Sequence, residues 1–297
     1  MAKPDGIHGY PKSISDACEQ TLVTLLAHLG PWKDSVYLIG GLAPRYIIKS
    51  RPPVVPAHAG TGDVDIVVDM AILSDVKAYR SLEANIRNIG FTRATDEKGR
   101  KQSWRWQSTT TEGVVLILEL LTDDPSIKGG RIEELPTDGN VSAVNIPHSS
   151  MVYDLYETQE ITAELLNGDG QVTETIRFAN IVSFTCLKAF AMEHRPERKD
   201  PHYLVYCLEH FDGGPDAIQQ AFLAGFETKH ADIIRRAIGL VADRFLDTET
   251  GEGYKKVGPV QAAKFEDPFA DNPNGTILRQ RDINTIVTNA IGPLIGK

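Results

Sequence analysis

The sequence predicts an α/β protein: a small mixed sheet with flanking helices, followed by a mainly helical C-terminal region. Three observations carry that reading. Tyr37-Leu38-Ile39 is an apolar strand that ends in Gly40-Gly41 and runs towards a helix. Asp63-Val64-Asp65-Ile66-Val67-Val68 is a second strand, with carboxylates alternating against apolar residues. Gly113 to Asp123 is almost continuously apolar, the pattern of a strand buried on both faces, and Glu119 is its exception. A division into residues 1–180 and 181–297 follows from the change to helical periodicity beyond residue 181.

Composition narrows the class. The 297 residues are 41% hydrophobic and 24% charged, ordinary for a water-soluble chain of one or two domains. No apolar run approaches the ~20 residues that span a bilayer. Met1 to Gly6 lacks the apolar region of an export signal, and Cys18, Cys186 and Cys207 form an odd set without CxxC spacing. A reducing cytoplasm is therefore the expected location. With 40 acidic against 31 basic residues, a net charge of −9, the chain is a poor match for extended duplex DNA.

Taken in order, residues 13–29 read as a helix with an apolar stripe from Ala17 to Leu29, capped by Ser13 or Ser15 and stopped by Gly30-Pro31. The strand over 35–39 follows, then the glycine turn and a short helix over 43–48. Arg51 to Gly60 is proline-rich and so neither helix nor inner strand; it reads as a surface loop or as a lid beside the site. After the aspartate strand, 74–89 has helical periodicity, and 91–94 and 103–107 are short strands. Trp104-Arg105-Trp106 reads either as a stacking surface or, better, as core tryptophans with an exposed arginine between them. Asp123 and Asp124 shape a turn. Residues 126–150 form loops and short strands, and Asn167-Gly168-Asp169-Gly170 joins strands over 160–166 and 171–178. A helix over 181–194 opens the C-terminal region, helices continue over 214–245, 247–275 reads as loop, and a last helix covers 281–291. Cys186, His194, His202, Cys207 and His210 match no zinc-ligand spacing.

The chemistry concentrates in the first two motifs. Strand alternation turns Asp63 and Asp65 to one face, about 6–7 Å apart at a rise of roughly 3.3 Å per residue. Carboxylates that close repel unless a cation lies between them. A glycine turn lets backbone approach a ligand, and a helix N-terminus behind it favours phosphate. Glu119, in its apolar strand, needs a partner or a metal to offset its burial.

The ordered pair, apolar strand with Gly-Gly and then Asp-x-Asp on the next strand, resembles the signature of DNA polymerase beta-type nucleotidyltransferases. Within them it is most similar to the AbiEii group, the nucleotidyltransferase toxins of type IV toxin–antitoxin systems. Gly40, Gly41, Ala43, Thr61, Asp63 and Asp65 carry the match. Glu119-Leu120-Leu121 stands where relatives have Asp-Leu-Leu, and Lys188 with Asp200 resembles their later motifs, a helix lysine and then a basic-Asp pair opening the next helix. The chain departs from the pattern in the inserted 51–60 segment, in Ala59 where an arginine is usual, and in Tyr203 where a second aspartate is usual.

The resemblance implies a nucleotidyltransferase-type mixed sheet and transfer of a nucleotide from an NTP to a hydroxyl-type acceptor, a tRNA or other RNA end or a protein. It implies two Mg²⁺ ions about 3.5–4 Å apart, held by Asp63, Asp65 and Glu119, with Glu119 also taking the acceptor proton. Gly40, Gly41, Thr61, Lys188 and Asp200 would bind the nucleotide, Lys188 as the cation on the leaving pyrophosphate. A cognate antitoxin would be the protein partner. Read without the resemblance, Lys188 is a snorkelling lysine and Asp200 a helix-start residue. Two other classes stay open: a nucleotide-binding regulator without transfer activity, and a dinucleotide-binding enzyme. Against the latter, the turn lacks a third fingerprint glycine and no GxxxxGK[ST] occurs.

Overall fold

A computed structural model describes residues 4, 6–69, 82–110, 113–135, 137, 140–166, 168, 170–267 and 273–297. The protein is mixed α/β, and the chain divides into two units. One comprises residues 11–43 and 60–179; the other comprises 1–10, 44–59 and 180–297.

The first unit is built on a mixed sheet. Helix α1 (Lys12–Leu29) precedes β1 (Val36–Ile39); β2 is Asp63–Val68, α2 Leu82–Asn88, β3 Thr92–Thr95, β4 Lys101–Thr109 and β5 Val115–Thr122. Then come β6 (Ile132–Glu134), β7 (Ser142–Asn145), β8 (Tyr156–Glu164) and β9 (Gln171–Ala179). The strand order is β3-β4-β5-β2-β1-β9-β8, with β7 pairing beyond the end of the β4 contact on β5, and β6 on β7. β2 and β5 run parallel, β1 and β2 antiparallel. Alternation sorts the two faces. Val64, Ile66, Leu116, Leu118 and Leu120 are buried on one side, while Asp63, Asp65, Ile117 and Glu119 are half-buried on the other. Helix α1 buries Cys18, Leu22, Leu25, Leu26 and Leu29 and packs on β8 and β9.

The second unit is helical. Its helices are α3 (Ile181–His194), α4 (Lys199–His210), α5 (Gly214–Phe226), α6 (Ala231–Phe245), α7 (Val257–Glu266) and α8 (Pro273–Ile291). Asn180 caps α3: its side-chain oxygen accepts from the backbone N–H of Val182 at 3.1 Å and of Ser183 at 3.0 Å. The segment 44–59 is fastened to these helices. Asp212 accepts from Lys49 N and Ser50 Oγ at 3.1 Å each, Tyr206 donates to the Pro56 carbonyl at 3.0 Å, and the His58 ring lies 4.7 Å from that of Tyr203.

Several sequence expectations need correction. The cap of α1 is neither Ser13 nor Ser15; Pro11 holds that place without a side-chain hydrogen bond. β5 is apolar apart from Glu119 and Thr122, but Val115, Ile117 and Glu119 on one of its faces are only half-buried. The stretch 247–275 is not all loop: α7 starts with Gly258 and Pro259 in its first turn, where the missing proline N–H costs nothing, and buries Ala262, Ala263 and Phe265. The last helix begins at Pro273, eight residues earlier than its apolar pattern indicates. In α6, Arg235 and Arg236 pair with Asp232 and Glu193. The expected helix over 74–89 and the turn residues Asn167 and Asp169 lie wholly or partly outside the described residues. Among the described residues, no helix is long and apolar enough to cross a membrane.

Candidate active site

The carboxylate face of the sheet is set by register. Asp65 is the parallel partner of Glu119 across β2 and β5, and Asp63 is the partner of Ile117. Side-by-side residues in register share a face, so Asp63, Asp65 and Glu119 all lie on the half-buried side. β4 adds one more group: Arg105 is the antiparallel partner of Glu119, and its Nε lies 3.0 Å from Glu119 Oε1. The guanidinium N–H is not aimed at that oxygen, and Nε is buried without a hydrogen-bond partner. The contact is an ion pair rather than a hydrogen bond. Arg105 is therefore not the exposed arginine of the sequence reading.

Electrostatics mark Glu119 as the strained member. Although 21% of its side-chain surface reaches solvent, its carboxyl is desolvated. Burial first, then the charges of Asp65 and Asp63, push it up to about 8, Arg105 opposes them, and a hydrogen bond with Asp65 favours the protonated form further.

Gly40 belongs to the same constellation. Its φ of +71° is the left-handed region, and a Cβ built there would fall 1.9 Å from Asp65 Oδ2 and 2.9 Å from Asp65 Cβ. The missing side chain makes room for the Asp65 carboxylate, whose backbone neighbour across β1 is Ile39. Gly41 is buried in the 3-10 turn Gly40–Leu42. The helix that follows is a single turn, Pro44–Ile47. Thr61 is buried at the entrance to β2. Its Oγ1 accepts from the Asp63 N–H at 3.2 Å, and its carbonyl accepts from the Cys18 thiol at 3.2 Å. What it visibly does is fix the start of the aspartate strand.

Of the two tryptophans expected in the core, Trp104 is only half-buried. Trp106 is fully buried, with the Arg87 and Arg93 guanidinium carbons 5.6 and 5.5 Å from its ring, so it offers no surface to a base. Asp124 shapes a turn as expected, accepting from the Ser126 N–H at 2.7 Å, whereas Asp123 accepts from the N–H of the distant Ser150 at 3.0 Å.

Lys188 and Asp200 belong to the helical unit and meet each other. Lys188 Nζ donates to Asp200 Oδ1 at 2.7 Å, and Arg195 Nε to Asp200 Oδ2 at 2.8 Å. Asp200 is fully buried and Lys188 nearly so, its ammonium 4.9 Å from the centre of the Tyr203 ring. Burial pulls the lysine down and its carboxylate partner holds it up, while Lys188 and Arg195 keep Asp200 well below the usual carboxylate range. Lys188 is thus not a snorkelling surface lysine. Arg195, the other half of this clamp, lies in an irregular link where no periodicity marks it. Arg105 had a signal, its alternation against Trp104 and Trp106, but the partner strand was not readable from sequence.

Three carboxylates share one face of the sheet, the oxygen donor type that hard divalent cations prefer. A cation between Asp65 and Glu119 would take the place of the shared proton. Among the described residues, no three His, Cys, Asp or Glu side chains already surround a common point at ligand distance. No protein-family model matches the chain, and no curated protein matches it either.

Proposed function

We propose that this protein is a metal-dependent nucleotidyltransferase of the DNA polymerase beta type, similar to the AbiEii group, moving a nucleoside monophosphate from an NTP to a hydroxyl-type acceptor. One observation carries the reading: Asp65 and Glu119 stand in register on one face with Asp63, and Gly40 is shaped around the Asp65 carboxylate. A degenerate site would be expected to lose at least one of these groups.

Asp63, Asp65 and Glu119 are the residues that would hold Mg²⁺. When bound, the metal supplies charge stabilisation to the entering and leaving oxygens of an in-line displacement. The acceptor oxygen forms a bond to the α-phosphorus, the bond from that phosphorus to the bridging oxygen breaks, and pyrophosphate leaves. Glu119, once ionised, would take the acceptor's proton, a role that rests on the resemblance. Gly40 keeps Asp65 in place, and Thr61 holds the strand that presents both aspartates. Lys188 and Asp200 are read first as the buried ion pair that orders the helical unit; nucleotide contact by either rests on the resemblance alone. An RNA end, a protein hydroxyl and an antitoxin partner rest on it too.

Transfer of label from an α-labelled NTP to total RNA or protein, with Mg²⁺, tests the function. Asp65→Asn keeps size and removes a ligand charge, so label transfer should fall by at least about a hundredfold, a loss of about 2.7 kcal/mol. Its circular dichroism should be unchanged. Full turnover by that variant at ordinary Mg²⁺ would rule the mechanism out.

A further inference from the structure

We propose that the helical unit carries a binding site for a phosphate group, free or as a small phosphomonoester, in the cleft where the end of α3 meets α6 and the start of α7. The cleft has a volume of about 270 Å³, close to the lower limit of roughly 300 Å³ for small-molecule sites. Its wall includes Arg195, Arg244, Val257, Gly258 and Gln261. All of these belong to one unit, and none takes part in the carboxylate face of the sheet.

Two separate features of that wall fit an anion. The first is charge. Arg244 donates from Nη2 to the Met192 carbonyl at 2.9 Å, which holds it at the end of α3, and among the described residues it has no carboxylate partner. That bond uses one of the five N–H groups of a guanidinium. Arg195 brings a second guanidinium: its Nε and Nη2 hold the buried Asp200, while 46% of its side chain remains exposed. Glu193, the one carboxylate among the described residues of the lining, is already paired with Arg236 at 2.9 Å. The second feature is the backbone. Helix α7 opens without a side-chain cap. Its first turn leaves the N–H groups of Val257 and Gly258 with no acceptor among the described residues: the bond from Val260 goes to the Lys256 carbonyl, and Pro259 has no N–H. Gly258 is buried, so its N–H is also withdrawn from water, which is costly for an unpaired donor. Guanidinium and amide donors lacking acceptors are the complement of phosphate oxygens, which only accept. Gln261, one turn further along α7, offers a neutral amide to the rest of a monoester.

Calorimetric titration of the full chain with inorganic phosphate and, separately, with glycerol 3-phosphate tests this, against sodium chloride at equal ionic strength. Wild type should bind at least one of the two, and which it binds more tightly tells free phosphate from a monoester. Arg244→Gln should weaken that binding by at least about tenfold, about 1.4 kcal/mol. Val257→Pro deletes one amide donor at a helix position that accepts proline, and Lys256, at φ −71° and ψ 165°, already has the backbone that a residue before proline adopts. It should weaken binding on the order of tenfold as well, with little change in melting temperature. An arginine that only caps α3 would instead lower the melting temperature and leave phosphate affinity alone. Unchanged binding by either variant in its folded state would overturn the proposal, as would a wild type that binds neither probe at millimolar concentration. If Arg244→Gln does not fold, Val257→Pro decides by itself.

Discussion

An alanine at position 40 would need a φ of +71° and would set its methyl carbon 1.9 Å from Asp65 Oδ2. The left-handed backbone alone costs about 1–2 kcal/mol for a residue with a Cβ. Gly40→Ala should therefore lower stability in urea by at least that amount. It should also abolish stabilisation by Mg²⁺, because Asp65 must turn away. Retention of wild-type Mg²⁺ stabilisation would show that Gly40 serves the turn only. The glycine was legible in the sequence as a turn residue, yet what it accommodates was not, since the register of β1 against β2 decides it. Arg105 shows the same limit. Alternation turned it away from Trp106 correctly, but only the pairing of β4 with β5 brings it to Glu119.

At the scale of elements, α3 and α4 are joined by the buried Lys188–Asp200 pair, with Arg195 from the link between them closing on the same carboxylate. Removing one partner of a buried pair leaves the other charge uncompensated, at a cost of about 3–5 kcal/mol. Lys188→Ala should accordingly lower the melting temperature markedly, the opposite of what a surface lysine would do. Thermal unfolding followed by circular dichroism checks it, and an unchanged midpoint would return Lys188 to a ligand-binding role alone. The sequence located α3 closely because Phe184, Leu187, Phe190 and Ala191 recur at helical spacing along it. It missed α7 because Gly258 and Pro259 look like loop residues; Gly258 is there because a Cβ would meet the Phe245 ring at 2.6 Å, a packing reason invisible in one dimension.

Across the whole molecule, acid should act on the helical unit through its paired carboxylates. Glu266 accepts from Arg279 at 2.6 and 2.9 Å and lies 3.2 Å from His202 Nδ1. It is desolvated, but those partners outweigh burial and bring it down to about 2 from an ordinary 4.5. Asp200 is lowered likewise. A carboxyl with a depressed folded pKa contributes fully above its unfolded value and loses that contribution as pH falls through the folded one. Stability should thus decline from about pH 4.5 down to about 2. Glu266→Gln should show a shallower decline, read as melting temperature against pH; an equal slope would remove Glu266 from the acid response.

The division of the chain has a consequence for synthesis. Residues 44–59 lie between the glycine turn and the aspartate strand in sequence, yet their partners, Tyr203, Tyr206 and Asp212, arrive about 150 residues later. A chain leaving the ribosome from its N-terminus can assemble the sheet as soon as β9 emerges. The stretch between its two key strands must wait, tethered at both ends, until α4 is made. No single cut yields two complete pieces, so the helices are tied to the sheet by the order of translation as well as by the backbone.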